Sequence, residues 1–291
     1  LLTCEYGRWR FAKERLGGLA IPKGVRAVIR KRLAQLSESA RVVANWLGLF
    51  RGVVSTDLLD LAIAGDFSAI KESLRELSQR QMIHMDTMGA DATVEFRHSL
   101  IAEVIRGDLT RKQLRYMHRR IAAAIEAKCG AEGHLQELAA HHMEGESGTI
   151  AVRYAMAAAV QSRAEYAHEN ALRCFDYIFK NRQGLTEEQI SAAAIEASDT
   201  MFALGLSKRS VLLLKRELLR CRDIPTDVKA RMCMQLALSY QHLGDLRLQE
   251  KYCREGLRFF RNFPSKEANM TKAMLWAELA FAAILQSQSR R

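Results

Sequence analysis

Phe96-Arg97-His98-Ser99-Leu100-Ile101 is the stretch on which the fold turns. Before it, Met82-Ile83-His84-Met85 leads through Gly89-Ala90-Asp91 to Thr93-Val94-Glu95-Phe96, the pattern of a β-hairpin with a glycine-containing turn. After His98 the apolar residues recur at three- and four-residue spacing, and that helical period holds to the end of the chain. The stretch is a border at which a short apolar strand hands over to helix. The fold class read from this pattern is mainly α.

Toward the N-terminus, Ser68 to Arg80 predicts a helix with Ile70, Leu74 and Leu77 on one face. Ser55 or Thr56 caps a short helix ending at Gly65. Ser37 caps another, Ala40 to Phe50, which is apolar almost all round and so is expected to be buried. Ile21-Pro22 opens a helix with Val25, Val28, Ile29, Leu33 and Leu36 in one stripe and Arg26, Arg30, Lys31 and Arg32 opposite. Residues 1–20, ending near the Gly17-Gly18 turn, read as the tail of a preceding domain and a linker. Several helices followed by a two-stranded wing have the outline of a winged-helix domain, assigned to residues 21–108.

Toward the C-terminus, Leu100, Ile101, Val104 and Ile105 form a short helix, and Thr110 to Cys129 a long one with Leu114, Met117, Ile121 and Ile125 inward. Further helices are expected near 134–144, 148–163, 166–181, 186–204, 207–222, 226–242, 245–262 and 266–287. Their short connections make them antiparallel neighbours stacked as pairs. Gly205 and Gly244 lie 244 − 205 = 39 residues apart, and Ala159, Ser198 and Ala237 recur at the same interval. Leu236, Tyr240, Gly244 and Asp245, with Ala171-x-x-x-Phe175, fit the tetratricopeptide pattern, whose standard period is about 34. Residues 109–291 are therefore expected to form a tetratricopeptide-like α-superhelix of stretched repeats.

The composition of the 291-residue chain, 48% hydrophobic and 26% charged with 3 prolines, is that of a globular protein with little room for linkers. No window approaches the roughly 20 apolar residues of a membrane span. Leu1-Leu2-Thr3-Cys4 shows neither an initiator Met nor a secretory pattern, and the chain reads as an internal fragment of a longer protein. Six scattered cysteines without C-x-x-C argue against a zinc site and a disulfide framework, and point to a reducing cytoplasm. The net charge of +11 permits contact with a polyanion, for which Arg111, Lys112, Arg115, Arg119 and Arg120 on one helix are the candidates. The alternative is an ordinary solvated face. Asp86, Asp91 and Glu95 make the wing acidic, which weighs against DNA contact through it.

Five segments in order are similar to the region that follows the nucleotide-binding domain in STAND-type signalling ATPases, the group that includes MalT-like, large LuxR-type activators. They are Ile21-Pro-x-Gly-Val-Arg to Ser37, Leu74-x-x-Leu-x-x-x-x-Met-Ile83, Phe96-Arg-His-Ser-Leu-Ile-Ala-Glu-Val-Ile105, His118-x-x-Ile-Ala122 and Glu137-Leu-Ala-x-His141. The resemblance covers about the first 180 residues. It implies a winged helix that holds an upstream nucleotide-binding domain closed, and helical repeats that receive the signal from a protein partner or small inducer. It also implies that His98, with Arg97 beside it, contacts the phosphate of bound ADP. Chemically this is reasonable, since an imidazole donates a hydrogen bond to phosphate and loses it when domains move.

The chain departs from the complete family in lacking G-x-x-x-x-G-K-[ST], the backbone cradle and lysine that hold phosphates. The expectation is a non-catalytic fragment without a cofactor of its own, with ATP or ADP bound by the parent protein and self-association possible there. The alternatives are a pure protein-interaction scaffold and a DNA-binding regulator using its basic faces. His134, His141 and His142, with Glu137 and Glu144, lack convergent metal-ligand spacing, and Ser99 lacks a nucleophile elbow.

Overall fold

The computed structural model describes residues 2–5, 8–11, 23–64, 67–86, 92–260 and 266–288. The chain divides into two units, Leu1–Lys128 and Cys129–Arg291, so the long helix after Thr110 falls with the first. The Gly17-Gly18 turn, the Ile21-Pro22 helix entry, Gly65 and the Gly89-Ala90-Asp91 turn lie outside the described residues.

The first unit opens with an antiparallel pair, β1 (Leu2–Glu5) and β2 (Arg8–Phe11), where the sequence suggested only a tail. Then come α1 (Lys23–Ala34), α2 (Glu38–Leu47), β3 (Val54–Ser55), α3 (Thr56–Ile63), α4 (Phe67–Gln79), β4 (Ile83–Asp86), β5 (Thr93–Phe96), α5 (Ser99–Asp108) and α6 (Arg111–Cys129). Both expected serine caps form. Ser37 Oγ accepts from the Ala40 N–H and Ser55 Oγ from the Leu58 N–H, each satisfying an orphan first-turn donor. The hairpin β4–β5 pairs Ile83 with Phe96 and Met85 with Val94. It is not two-stranded: β3 joins its far edge, giving a sheet of order β3-β5-β4 in which Val54 pairs with Val94, both buried. Val43, Leu47, Leu59, Leu74, Leu77, Ile83, Ile101 and Ile105 are buried in this unit, each from the apolar stripe of its element.

The second unit is helical among its described residues: α7 (Leu135–Glu144), α8 (Thr149–Ala164), α9 (His168–Lys180), α10 (Glu187–Ala203), α11 (Ser207–Arg220), α12 (Thr226–His242), α13 (Leu246–Phe259) and α14 (Lys266–Gln288). Each even-numbered helix from α8 packs on the odd-numbered one after it as far as α13, and α14 packs on α12 and α13. The interval read from the sequence is the structural period. α9, α11 and α13 start at 168, 207 and 246, so 207 − 168 = 39 and 246 − 207 = 39. Ala159, Ser198 and Ala237 are all buried, small side chains where one helix of each pair packs closely. Among the described residues the fold is mainly α, with a small three-stranded sheet among the helices of the first unit and antiparallel helix pairs in the second.

Candidate functional site

His98 sits at the corner where β5 becomes α5, as the N-cap residue with extended backbone (φ −136°, ψ 124°). Its carbonyl accepts from the Ile101 N–H at 3.0 Å, and its imidazole, exposed, makes no cap bond to the helix. Arg97 is tied down. Its N–H donates to Met82 O at 3.0 Å and its Nε to Ile83 O at 3.1 Å, both beside the start of β4. The two residues thus occupy one exposed corner with different freedom. The guanidinium is anchored to the sheet, while the imidazole is exposed.

Of the five basic residues on α6, Arg111, Lys112 and Arg119 are exposed. Arg120 turns toward the C-terminal end of α3, donating to Ala62 O and Leu61 O at 3.3 and 3.4 Å. Arg115 Nε reaches back to Arg111 O at 3.4 Å. Arginines elsewhere in the unit do the same work. Arg106 donates to Gly48 O at 2.8 Å past the end of α2, and Arg32 to Arg80 O at 2.6 Å past the end of α4. A cation at a helix C-terminus satisfies orphan carbonyls and complements the helix dipole. Arg32, Arg106 and Arg120 are thus engaged within the unit. His118, in the fourth of the five quoted segments, is buried. Burial first, then Arg51 and Arg106, lowers its pKa to about 4, so it is neutral near pH 7.

Glu137 lies between His134 and His141, at 3.6 and 3.9 Å, and His142 stacks on Tyr154 with centroids 4.8 Å apart. Among the described residues, no group of three or more His, Cys, Asp or Glu side chains is placed to hold a metal. Ser99 is an exposed first-turn residue of α5.

A second candidate site was missed in the sequence. A polar seam crosses the helix pairs. Arg163 of α8 pairs with Glu196 and with Asp199 (3.3 Å) of α10, and Asp199 accepts from Gln235 Nε2 of α12 at 2.6 Å. Ser198, beside Asp199, bonds to Ser210 at 2.7 Å, and Ser210 to Ser239 at 2.9 Å. Burial raises the Asp199 pKa against the pull of Arg163, Gln235 and Arg231. Next to this seam lies a cavity of about 390 Å³ lined by Val160, Arg163, Tyr166, His168, Asp199 and Thr200.

Tyr166 is the conspicuous member. The turn after α8 has the hydrogen bonds 166 N–H to 163 C=O and 167 N–H to 162 C=O. The turns after α10 and α12 repeat them as 205 to 202 with 206 to 201, and 244 to 241 with 245 to 240. Gly205 and Gly244 hold the left-handed position there, with φ 71° and 74°; Tyr166 holds it with φ 57°. A side chain in that conformation is strained, and this one is 82% exposed at the edge of a cavity. The signal was present in the sequence, because 205 − 166 = 39 places Tyr166 in the register of the two turn glycines.

No family model matches this chain, and no curated protein matches it. Among solved structures it is similar to a signal transduction ATPase with numerous domains (STAND) from Pyrococcus horikoshii that carries a tetratricopeptide repeat sensor. That likeness has 13% sequence identity and a TM-score of 0.46. It covers 90% of this chain and 37% of the Pyrococcus horikoshii chain.

Proposed function

We propose that this chain is the non-catalytic regulatory and sensor part of a cytoplasmic, ATP-dependent signal-transduction or transcriptional regulator. In this reading the first unit is a winged helix that holds a nucleotide-binding domain of the same regulator in its ADP state. The helix pairs bind a protein partner or small inducer and release that hold. The observation that carries the reading is the element order α2-β3-α3-α4-β4-β5 with sheet order β3-β5-β4. That order supports a winged-helix reading, and it runs through the exposed His98 into helix. The cavity beside Tyr166 supports the sensor half, since strain kept at a cavity edge is a mark of binding sites. The internal use of Arg32, Arg106 and Arg120, together with Asp86 and Glu95 on the wing strands, favours a protein neighbour over DNA.

In this reading the nucleotide is bound by another domain of the regulator, which fits a sequence without G-x-x-x-x-G-K-[ST]. The chain should associate with that nucleotide-binding domain when ADP is bound and separate from it when ATP is bound, read by titration calorimetry in each nucleotide. Association of equal strength in both states would remove gating from the reading.

A further inference from the structure

We infer that the outer face of α11 is a docking surface for an anionic lipid bilayer. Leu212 and Leu219 lie 219 − 212 = 7 residues apart on that helix, about two turns. They are 71% and 77% exposed, the most exposed leucines among the described residues. The other exposed side chains of α11 are Lys208, Arg209, Arg216 and Arg220. This face is not open for want of a neighbouring helix. On one side Arg209 pairs with Asp176 of α9, and on the other Lys215 Nζ lies 5.8 Å from the ring centre of Tyr252 of α13. Beneath, Val211 and Leu214 are buried where α11 packs on α10 and α12. The two leucines remain in solvent after those contacts are made.

The 39-residue register surrounds each leucine with positive charge. Position 212 corresponds to Arg173 of α9 and Lys251 of α13, since 212 − 173 = 39 and 251 − 212 = 39, and both are exposed. Position 219 corresponds to the exposed Lys180 of α9, since 219 − 180 = 39. Glu169 and Glu255 fall in the rows of Lys208 and Arg216, away from the leucine rows. Apolar side chains that protrude need a partner that supplies the recess. A bilayer's headgroup layer does so without a shaped pocket, and anionic headgroups meet a Lys or Arg wherever it falls. A nucleic acid would pair phosphates with the basic residues and leave both leucines uncovered. An acidic protein would need two recesses at the leucine spacing. The net charge of +11 draws the chain toward an anionic surface. The contact is peripheral, since no helix among the described residues is long and apolar enough to cross a membrane. The inference goes beyond the regulatory reading and does not depend on it.

The test floats the full chain with vesicles of equal parts phosphatidylglycerol and phosphatidylcholine, and with vesicles of phosphatidylcholine alone. The chain should float with the anionic vesicles only. Leu212→Ala combined with Leu219→Ala should weaken binding about tenfold or more, and so should Lys208→Glu combined with Arg220→Glu. Circular dichroism verifies the fold of each variant, and the corresponding Gln substitutions replace a pair that fails to fold. The inference is overturned if the chain does not float, if it floats equally with both kinds of vesicle, or if either pair of substitutions leaves binding unchanged. Duplex DNA that displaces the vesicles, and binds the leucine variant as tightly as wild type, also overturns it and makes the face a nucleic-acid site.

Discussion

Tyr166→Gly should make the protein more stable, an unusual result for removing an aromatic side chain. Tyr166 adopts φ 57° at a turn whose two counterparts carry Gly205 and Gly244, so glycine is compatible with this backbone. An L-residue in the left-handed region costs roughly 1–2 kcal/mol, and a glycine in the unfolded chain gives back up to about 1 kcal/mol of that gain as entropy. The side chain is 82% exposed and its nearest ring contact, edge-on to His168, is 6.1 Å between centroids, so little packing is lost. The balance is a stabilisation of about 0.5–1 kcal/mol, or roughly 1–4 °C in Tm for a unit of this size. Gly205→Ala and Gly244→Ala are the matched controls; nothing lies within 4 Å of an added Cβ at either, so each should lose about 1 kcal/mol from strain alone. Urea unfolding followed by far-ultraviolet circular dichroism gives all three values. A Tyr166→Gly protein less stable than wild type would show that Tyr166 is held by packing, and the strain argument for a binding site would fall with it.

Two further predictions concern buried groups in the helix pairs. Glu217 is fully buried. Burial pushes its carboxyl up, but the hydrogen bonds from Arg182 (2.6 Å) and Arg216 (2.8 Å) outweigh burial and hold it below the usual range. A depressed folded pKa gives stability that is complete above the unfolded value, about 4.3, and is lost as pH falls through the folded value. Glu217→Gln should therefore cost about 2 kcal/mol at pH 7, with the gap to wild type closing in acid; an equal gap at both pH values would contradict the ion-pair account. For the thiols, burial pushes Cys233 and Cys253 up to about 12, while Cys129 is exposed. Alkylation of the native protein near pH 8, read by peptide mass spectrometry, should mark Cys129 well before either buried thiol. Labelling at equal rates would mean that the α12–α13 pair opens readily.

What the sequence made legible was local or periodic. The Ser37 and Ser55 caps, the β4–β5 hairpin and the 39-residue interval each depend on residues close in the chain or on a repeated spacing. What it hid was non-local. β3 is two residues long and exists because Val54 and Ser55 pair with Val94 and Thr93 across α3, α4 and β4. The seam from Arg163 to Asp199 to Gln235 joins three helices at offsets of 199 − 163 = 36 and 235 − 199 = 36, within a chain repeating every 39, so helical register conceals it. Nothing in the spacing of the α6 basic residues announces that Arg120 reaches the end of α3. His98 was legible as a border residue, but its exposure was not.

The central claim is that His98 and the unit that presents it restrain a nucleotide-binding domain, and ADP release tests it most directly. In the intact regulator loaded with a fluorescent ADP, His98→Ala should speed release about tenfold, the worth of one hydrogen bond to phosphate. His98→Gln, which keeps a donor at that corner, should recover part of the effect. Unchanged ADP release in a correctly folded His98→Ala protein would contradict the account.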